Sequence, residues 1–237
     1  MKILHLSDTH IHAISNNDSL EQRLNCIEKM DHKIIITGDI TDDGTKEQYD
    51  VASKILSPFN DRIYLDPGNH DYGVIGSFYT EEAAKRFDDF AKDNFISKNP
   101  LVHHLDGVTL IILNSNLKTS DPFDFACGEI GRGQLFALKE ILDNPSVKDS
   151  IKIVCLHHHP FIHNDPTMEL LDVKNFLRTI YGKIDILLFG HKHLSGKWIN
   201  QVGCRLVLAS GATFQDPFAW EITIEGNKIF CEEVSIT

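Results

Sequence analysis

Apolar residues along this chain fall into two rhythms. Short β-branched and aliphatic runs recur at 2–6, 33–37, 62–66, 108–113, 151–156, 184–189, 205–209, 220–224 and 228–234. Each stops at Gly, Asp, Asn, His or Pro or close to one, and several are apolar at successive positions. That pattern predicts strands, some of them buried on both faces. Between many of them the apolar positions switch to helical spacing: Leu20, Leu24, Cys26 and Ile27 in 19–30, Tyr49, Ala52, Ile55 and Leu56 in 45–56, and Ala83, Ala84, Phe87, Phe90 and Ala91 in 80–95. Thr80 followed by Glu81 and Glu82 is a helix start signal. Segments 134–142 and 168–181 complete the helical set.

Alternation of strand and helix predicts an α/β fold with mostly parallel pairing. The last 35 residues carry strand patterns alone, so an antiparallel section is expected to close the sheet. Segment 115–133 is the longest without periodicity, and a loop of that length is often functional. No repeat, low-complexity tract or linker divides the chain, which reads as one domain over 1–237.

Five predicted strands end in polar clusters: Ser7-Asp8-Thr9-His10, Gly38-Asp39, Gly68-Asn69-His70-Asp71, His157-His158-His159-Pro160 and Gly190-His191-Lys192-His193. Ligands of open α/β sheets bind outside the carboxyl ends of strands, so the clusters can share one rim. Carboxylates, imidazoles and an amide oxygen suit Mn, Fe or Zn better than calcium. Asp8 and His10, and His191 and His193, are spaced i, i+2, which in extended backbone puts both side chains on one face. Singly, each cluster also reads as a turn or cap; five at strand ends in one chain point to a common site.

Composition narrows the function. Hydrophobic residues are 42% and charged residues 24%, as in ordinary globular proteins. With 23 Lys and Arg against 34 Asp and Glu, the net charge is −11. That argues against an extended nucleic-acid surface and against charge-driven membrane binding. Thirteen histidines are a high count for a common metal ligand. Five scattered cysteines form no disulfide framework, and no leader or spanning segment is evident, so a cytoplasmic enzyme is expected. No Gly-x-Ser-x-Gly, Walker A or Gly-x-Gly-x-x-Gly sequence is present.

Taken in order, Asp8-x-His10, Gly38-Asp39, Gly68-Asn69-His70-Asp71, His158-x-Pro160 and Gly190-His191-x-His193 resemble the calcineurin-like metallophosphoesterase superfamily, over nearly the whole catalytic domain. The opening Met1–Asp8 run and Thr37-Gly38-Asp39-Ile40-Thr41-Asp42 further resemble its bacterial class III cyclic nucleotide phosphodiesterase branch. The resemblance implies a four-layer α-β-β-α sandwich of two mixed β-sheets flanked by helices, and two metal ions, with Mn, Fe or Zn the expected cofactors. It implies that Asp8, His10 and His193 hold one ion, that Asn69, His158 and His191 hold the other, and that Asp39 bridges them. His158 is selected as lying two residues before Pro160, with His157 the alternative one place away. Two divalent ions against two carboxylates leave about +2 at the site, suited to a phosphate ester.

The resemblance also implies a mechanism. A water bridging the two metals becomes a hydroxide and attacks phosphorus in line. His70 is expected to assist the leaving oxygen as general acid, and Asp71 either orients His70 or caps a turn. His159 contacts substrate or supports its loop. Asn114 and Phe161 are candidates for the substrate pocket, with Phe78, Tyr79, Phe123, Phe125 and His163 as further rim aromatics. The expected substrate is a small phosphodiester such as a cyclic nucleotide. The alternatives are a phosphomonoester, then a nuclease, then a metal-free scaffold. Class III relatives are often homodimers, but no interface is visible in the sequence.

Overall fold

The computed structural model describes every residue except 15–16, 74–79, 94, 96–98, 120, 122–123, 125 and 162–164. Phe78, Tyr79, Phe123, Phe125 and His163 therefore lie outside the described residues.

Among the described residues, eleven strands build two mixed sheets. The first holds β1 (Lys2–Leu6), β2 (Lys33–Thr37), β3 (Ile63–Asp66), β10 (Phe218–Glu225) and β11 (Lys228–Ser235), ordered β11-β10-β1-β2-β3. The second holds β4 (Leu101–Leu105), β5 (Val108–Ile112), β6 (Ile151–Cys155), β7 (Ile186–Phe189), β8 (Gly196–Ile199) and β9 (Leu206–Ala209), ordered β4-β5-β6-β7-β9-β8. β1, β2 and β3 run parallel, as do β5, β6, β7 and β9. The C-terminal hairpin joins β1 antiparallel, as the strand-only end of the sequence predicts.

Among the described residues, five α-helices cover the sheets: α1 (Asp18–Glu28), α2 (Lys46–Leu56), α3 (Glu81–Ala91), α4 (Arg132–Asp143) and α5 (Val173–Ile180). The Thr80 hydroxyl caps α3 by accepting from Ala83 N at 3.0 Å, and Thr45 caps α2 in the same way. Each such cap is worth about 1 kcal/mol.

The layers follow from strand alternation. In the second sheet Leu110, Ile112, Ile153, Cys155, Ile186, Leu188, Leu206 and Leu208 face the first sheet and join its core. Their neighbours Ile111, Val154, Leu187, Phe189, Val207 and Ala209 face outward and pack against Leu135, Leu138 and Leu142 of α4 and Phe176 and Ile180 of α5. Both faces are dry, which is why these strands read as unbroken apolar runs. The parallel strands of both sheets deliver their carboxyl ends to one rim, where Gly190 N bonds His157 O and Asp8 N bonds Gly38 O, each at 3.0 Å. Among the described residues, no helix is long and apolar enough to cross a membrane.

Candidate metal centre

The loops after β1 and β2 run side by side, His10 N donating to Asp39 O and Ile11 N to Ile40 O. Asp8, His10, Asp39, His191 and His193 all have positive φ, at 52°, 42°, 51°, 75° and 54°. Only three other described non-glycine residues do: Lys92, Asn200 and Val202. Such backbone costs of order 1–3 kcal/mol per residue and concentrates at functional sites. The i, i+2 pairs therefore converge through left-handed residues, and not through the extended backbone that the spacing suggested.

Three groups of ligand-type atoms result: Asp8 with His10 and His193, Asp39 with His157 and His191, and His10 with Asp39 and His70. Asp39 joins the first two. Its Oδ2 lies 3.7 Å from His10 Nε2 and 3.3 Å from His157 Nε2. His193 Nε2 is 3.3 Å from Asp8 Oδ1. Asn69 Oδ1 and His191 Nε2 are buried and accept or donate no hydrogen bond. Buried polar atoms normally have partners, so these two fit a cation that the donor set would hold. Two glycines allow the approach: a Cβ on Gly38, whose φ is 87°, would strike the His157 ring, and one on Gly68 would strike the Asp39 carboxylate.

The structure departs from the expected ligand set at one place, where His157 and not His158 reaches Asp39. Strand alternation is the reason. Cys155 faces the space between the sheets, Leu156 faces the α4–α5 side, and His157 turns back toward the first sheet. Its Nδ1 donates to Thr37 O at 2.7 Å, which leaves Nε2 for the site. His158 points the other way, with Nδ1 2.8 Å from Ser115 Oγ. Its buried Nε2 also lacks a hydrogen bond, yet His158 joins none of the three groups.

His70 sits on a short 3-10 turn (His70–Tyr72), half-buried, with its ring edge-on to His10 at 4.7 Å between centroids. Asp71 serves the turn: its carboxylate accepts from Gly68 N, Ile40 N, Thr41 N and Thr41 Oγ1. The pocket candidates sit in the packing. His159 Nδ1 accepts from Phe161 N, and its ring stands edge-on to Phe189 at 4.6 Å. Phe161 packs with Phe189 and Trp198. Both ends of the Asn114 amide are engaged, by the Tyr72 hydroxyl and by Asn116 N. A residue the sequence did not flag, Phe214, lies half-exposed beside His10 and His193, at 5.3 and 5.8 Å between ring centroids. Arg23 fixes that loop by donating to the carbonyls of Thr213, Phe214 and Gln215.

A family model described as calcineurin-like phosphoesterase matches residues 1–195. The chain belongs to this family. Among relatives, "Probable glycerophosphodiester phosphodiesterase GpdQ" of Arcobacter nitrofigilis is 28% identical, with 81% of this chain and 72% of that protein covered. The 3',5'-cyclic adenosine monophosphate phosphodiesterase CpdA of Haemophilus influenzae is 24% identical, covering 84% and 72%. A cAMP/cGMP dual specificity phosphodiesterase of Mycobacterium tuberculosis is 28% identical, covering 81% and 62%. In fold, the chain matches a dimetal phosphatase from Danio rerio with a TM-score of 0.70 at 12% identity, over 100% of this chain and 96% of that one. The protein is a metal-dependent phosphoester hydrolase.

Electrostatics ties the phosphoesterase's metal uptake to pH. Burial pulls His10 and His191 below the usual histidine range, so both are neutral and ready to ligate. Burial also works against charge on His157, but the Asp39 carboxylate outweighs it and pushes His157 up to about 10. The Asp8 carboxylate raises His193. Without metal, then, His157 holds its extra proton at neutral pH, and His193 is shifted toward its charged form. A cation held by these rings must displace such protons, so its affinity should fall as pH drops, and binding at pH 7 should release the His157 proton. Calorimetry in two buffers of different ionisation enthalpy reads that release; identical heats would remove His157 from the ligand set.

Proposed function

We propose that this chain hydrolyses a small phosphodiester, with a cyclic nucleotide or similar small nucleotide as the leading substrate class, at a site holding two metal ions. The observation that carries the reading is Asp39, whose carboxylate lies between two groups of ligand-type atoms. Asp8, His10 and His193 would hold one ion, Asn69, His157 and His191 the other, with Asp39 shared. The donor set mixes carboxylate, imidazole and amide, which suits Mn, Fe or Zn. When bound, such ions activate water and neutralise the charge that builds on phosphoryl oxygens.

The chain's own residues supply the rest. The buried carboxylates of Asp8 and Asp39 are the negative charges of the site, and the neutral Asn69 adds none, so two bound cations would leave it positive enough to admit an anion. His70 Nδ1 bonds the Asp42 carbonyl at 2.7 Å. A carbonyl only accepts, so Nδ1 carries a hydrogen, and the ring serves a leaving oxygen when Nε2 is protonated as well; burial opposes that second proton, but the Asp39 carboxylate and the Asp42 carbonyl outweigh it and raise the ring's pKa. The relatives named as cyclic nucleotide and glycerophosphodiester phosphodiesterases support a diester.

With Mn²⁺ supplied, bis(4-nitrophenyl) phosphate should be hydrolysed faster than 4-nitrophenyl phosphate, and a chelator should abolish both rates. Preference for the monoester would replace the phosphodiesterase reading with a phosphatase.

A further inference from the structure

Between β2 and α2 the chain makes a tight loop whose chemistry is not exhausted by Asp39. Asp71 pins it from one side through Ile40 N and Thr41 N, at 3.1 and 3.0 Å. From within, Gly44 N donates to Thr41 Oγ1, and Asp42 N donates to Ile11 O. Asp42 is thus held in place before it makes any contact with the site.

Two site histidines then rest on it. Asp42 Oδ1 lies 3.1 Å from His10 Nδ1, and the Asp42 main-chain carbonyl lies 2.7 Å from His70 Nδ1. Its other oxygen, Oδ2, faces His12 Nδ1 at 3.4 Å. The His10 side chain is 7% exposed and that of Asp42 25%, so the carboxylate meets the imidazole at a partly screened edge. We propose that Asp42 is a positioning residue for two different functions: its carboxylate orients His10 toward the metal, and its carbonyl orients His70 toward the leaving group. The proposal rests on the reading of His10 as a ligand and of His70 as the group that serves the leaving oxygen.

The two holds use different atoms, and that makes them separable. A carboxylate on the far nitrogen of a ligating histidine fixes its tautomer, aims the other nitrogen at the metal and raises its basicity; loss of such a partner typically costs about 10–100-fold in metal affinity. Removing the Asp42 side chain leaves its carbonyl, and so leaves His70 held.

Asp42→Ala should therefore weaken binding of one Mn²⁺ about 10–100-fold by calorimetry. At saturating Mn²⁺ its kcat should fall far less than that of His70→Ala, because the carbonyl that holds His70 Nδ1 remains. Asp42→Asn, which keeps an oxygen acceptor without the charge, should fall between the two and guards against misfolding of the alanine variant. In the metal-free protein, ¹⁵N spectra should show His70 with its Nδ1 hydrogen in wild type and Asp42→Ala alike, while His10 loses its single tautomer in the variant. Wild-type Mn²⁺ affinity in Asp42→Ala would overturn the proposal, as would a large loss of kcat at saturating metal. His10→Ala separates this failure from failure of the site itself. If it too binds both ions normally, the ligand assignment falls and the Asp42 proposal with it.

Discussion

His157→Ala should cost roughly 10³-fold in activity and remove one bound metal, while His158→Ala should keep both. A metal that polarises a phosphoryl oxygen contributes several kcal/mol of charge stabilisation, and each 1.36 kcal/mol is a factor of ten. His157 is fully buried, its Nδ1 is committed to Thr37 O, and its Nε2 lies 3.3 Å from Asp39 and 3.1 Å from His191 Nδ1. His158 is equally buried but bonded to Ser115. Its loss removes a buried ring and one of the two partners of the serine hydroxyl, which still accepts from the main-chain N–H of residue 158, and should cost stability, about 1–3 kcal/mol, or a few degrees in Tm, with metal content unchanged. Elemental analysis of the two purified variants decides the matter. Metal lost from the His158 variant and kept in the His157 variant would restore the register read from Pro160.

That register shows where sequence reading stopped. Counting back from a proline treats the triple histidine as a string, whereas the strand fixes it by parity. Cys155 and His157 share a face because residues two apart in a strand do. The buried strands were legible for the same physical reason: runs such as Ile34-Ile35-Ile36 and Ile186-Leu187-Leu188 are apolar on both faces, and five of the nine predicted segments begin where the structure begins them. β4 and β8 escaped because each is an edge strand without a buried apolar run. Val102, His103 and His104 are partly or fully exposed, and β8 is four residues with a glycine at its start. α5 begins at Val173, later than its apolar period suggests, because the backbone of Glu169 and Leu171 is claimed by Gly128 and the Asp172 carboxylate by Ile130 N and Gly131 N. The metal-ligand types were readable since strand ends concentrate them. The contacts of Asp42 with His10 and of Arg23 with the Phe214 loop, some 190 residues away, follow from tertiary folding alone.

His70→Ala should lower kcat by about 10²–10⁴-fold, the usual worth of a general acid, and retain the metals. The retention is the informative half. His70 lies close enough to His10 and Asp39 to form a ligand-type group with them, so proximity alone allows it to be a ligand. Its hydrogen bonding argues otherwise. The main-chain N–H of His70 donates to Asp39 Oδ1 at 3.0 Å, and its Nδ1 is tied to the Asp42 carbonyl, so backbone as well as ring anchors this residue beside the Asp39 carboxylate. Truncating the ring leaves the main-chain bond to Asp39 intact, and the metal site keeps its shape. The leaving group supplies a second discriminator. A 4-nitrophenolate departs with little help, whereas an alkoxide such as a ribose or glycerol oxygen needs a proton. His70→Ala should thus slow an alkyl diester, such as a cyclic nucleotide, far more than bis(4-nitrophenyl) phosphate. Equal losses on both substrates, accompanied by loss of metal, would make His70 a ligand; a large loss confined to the alkyl diester, with full metal content, is what a proton donor to the leaving oxygen requires.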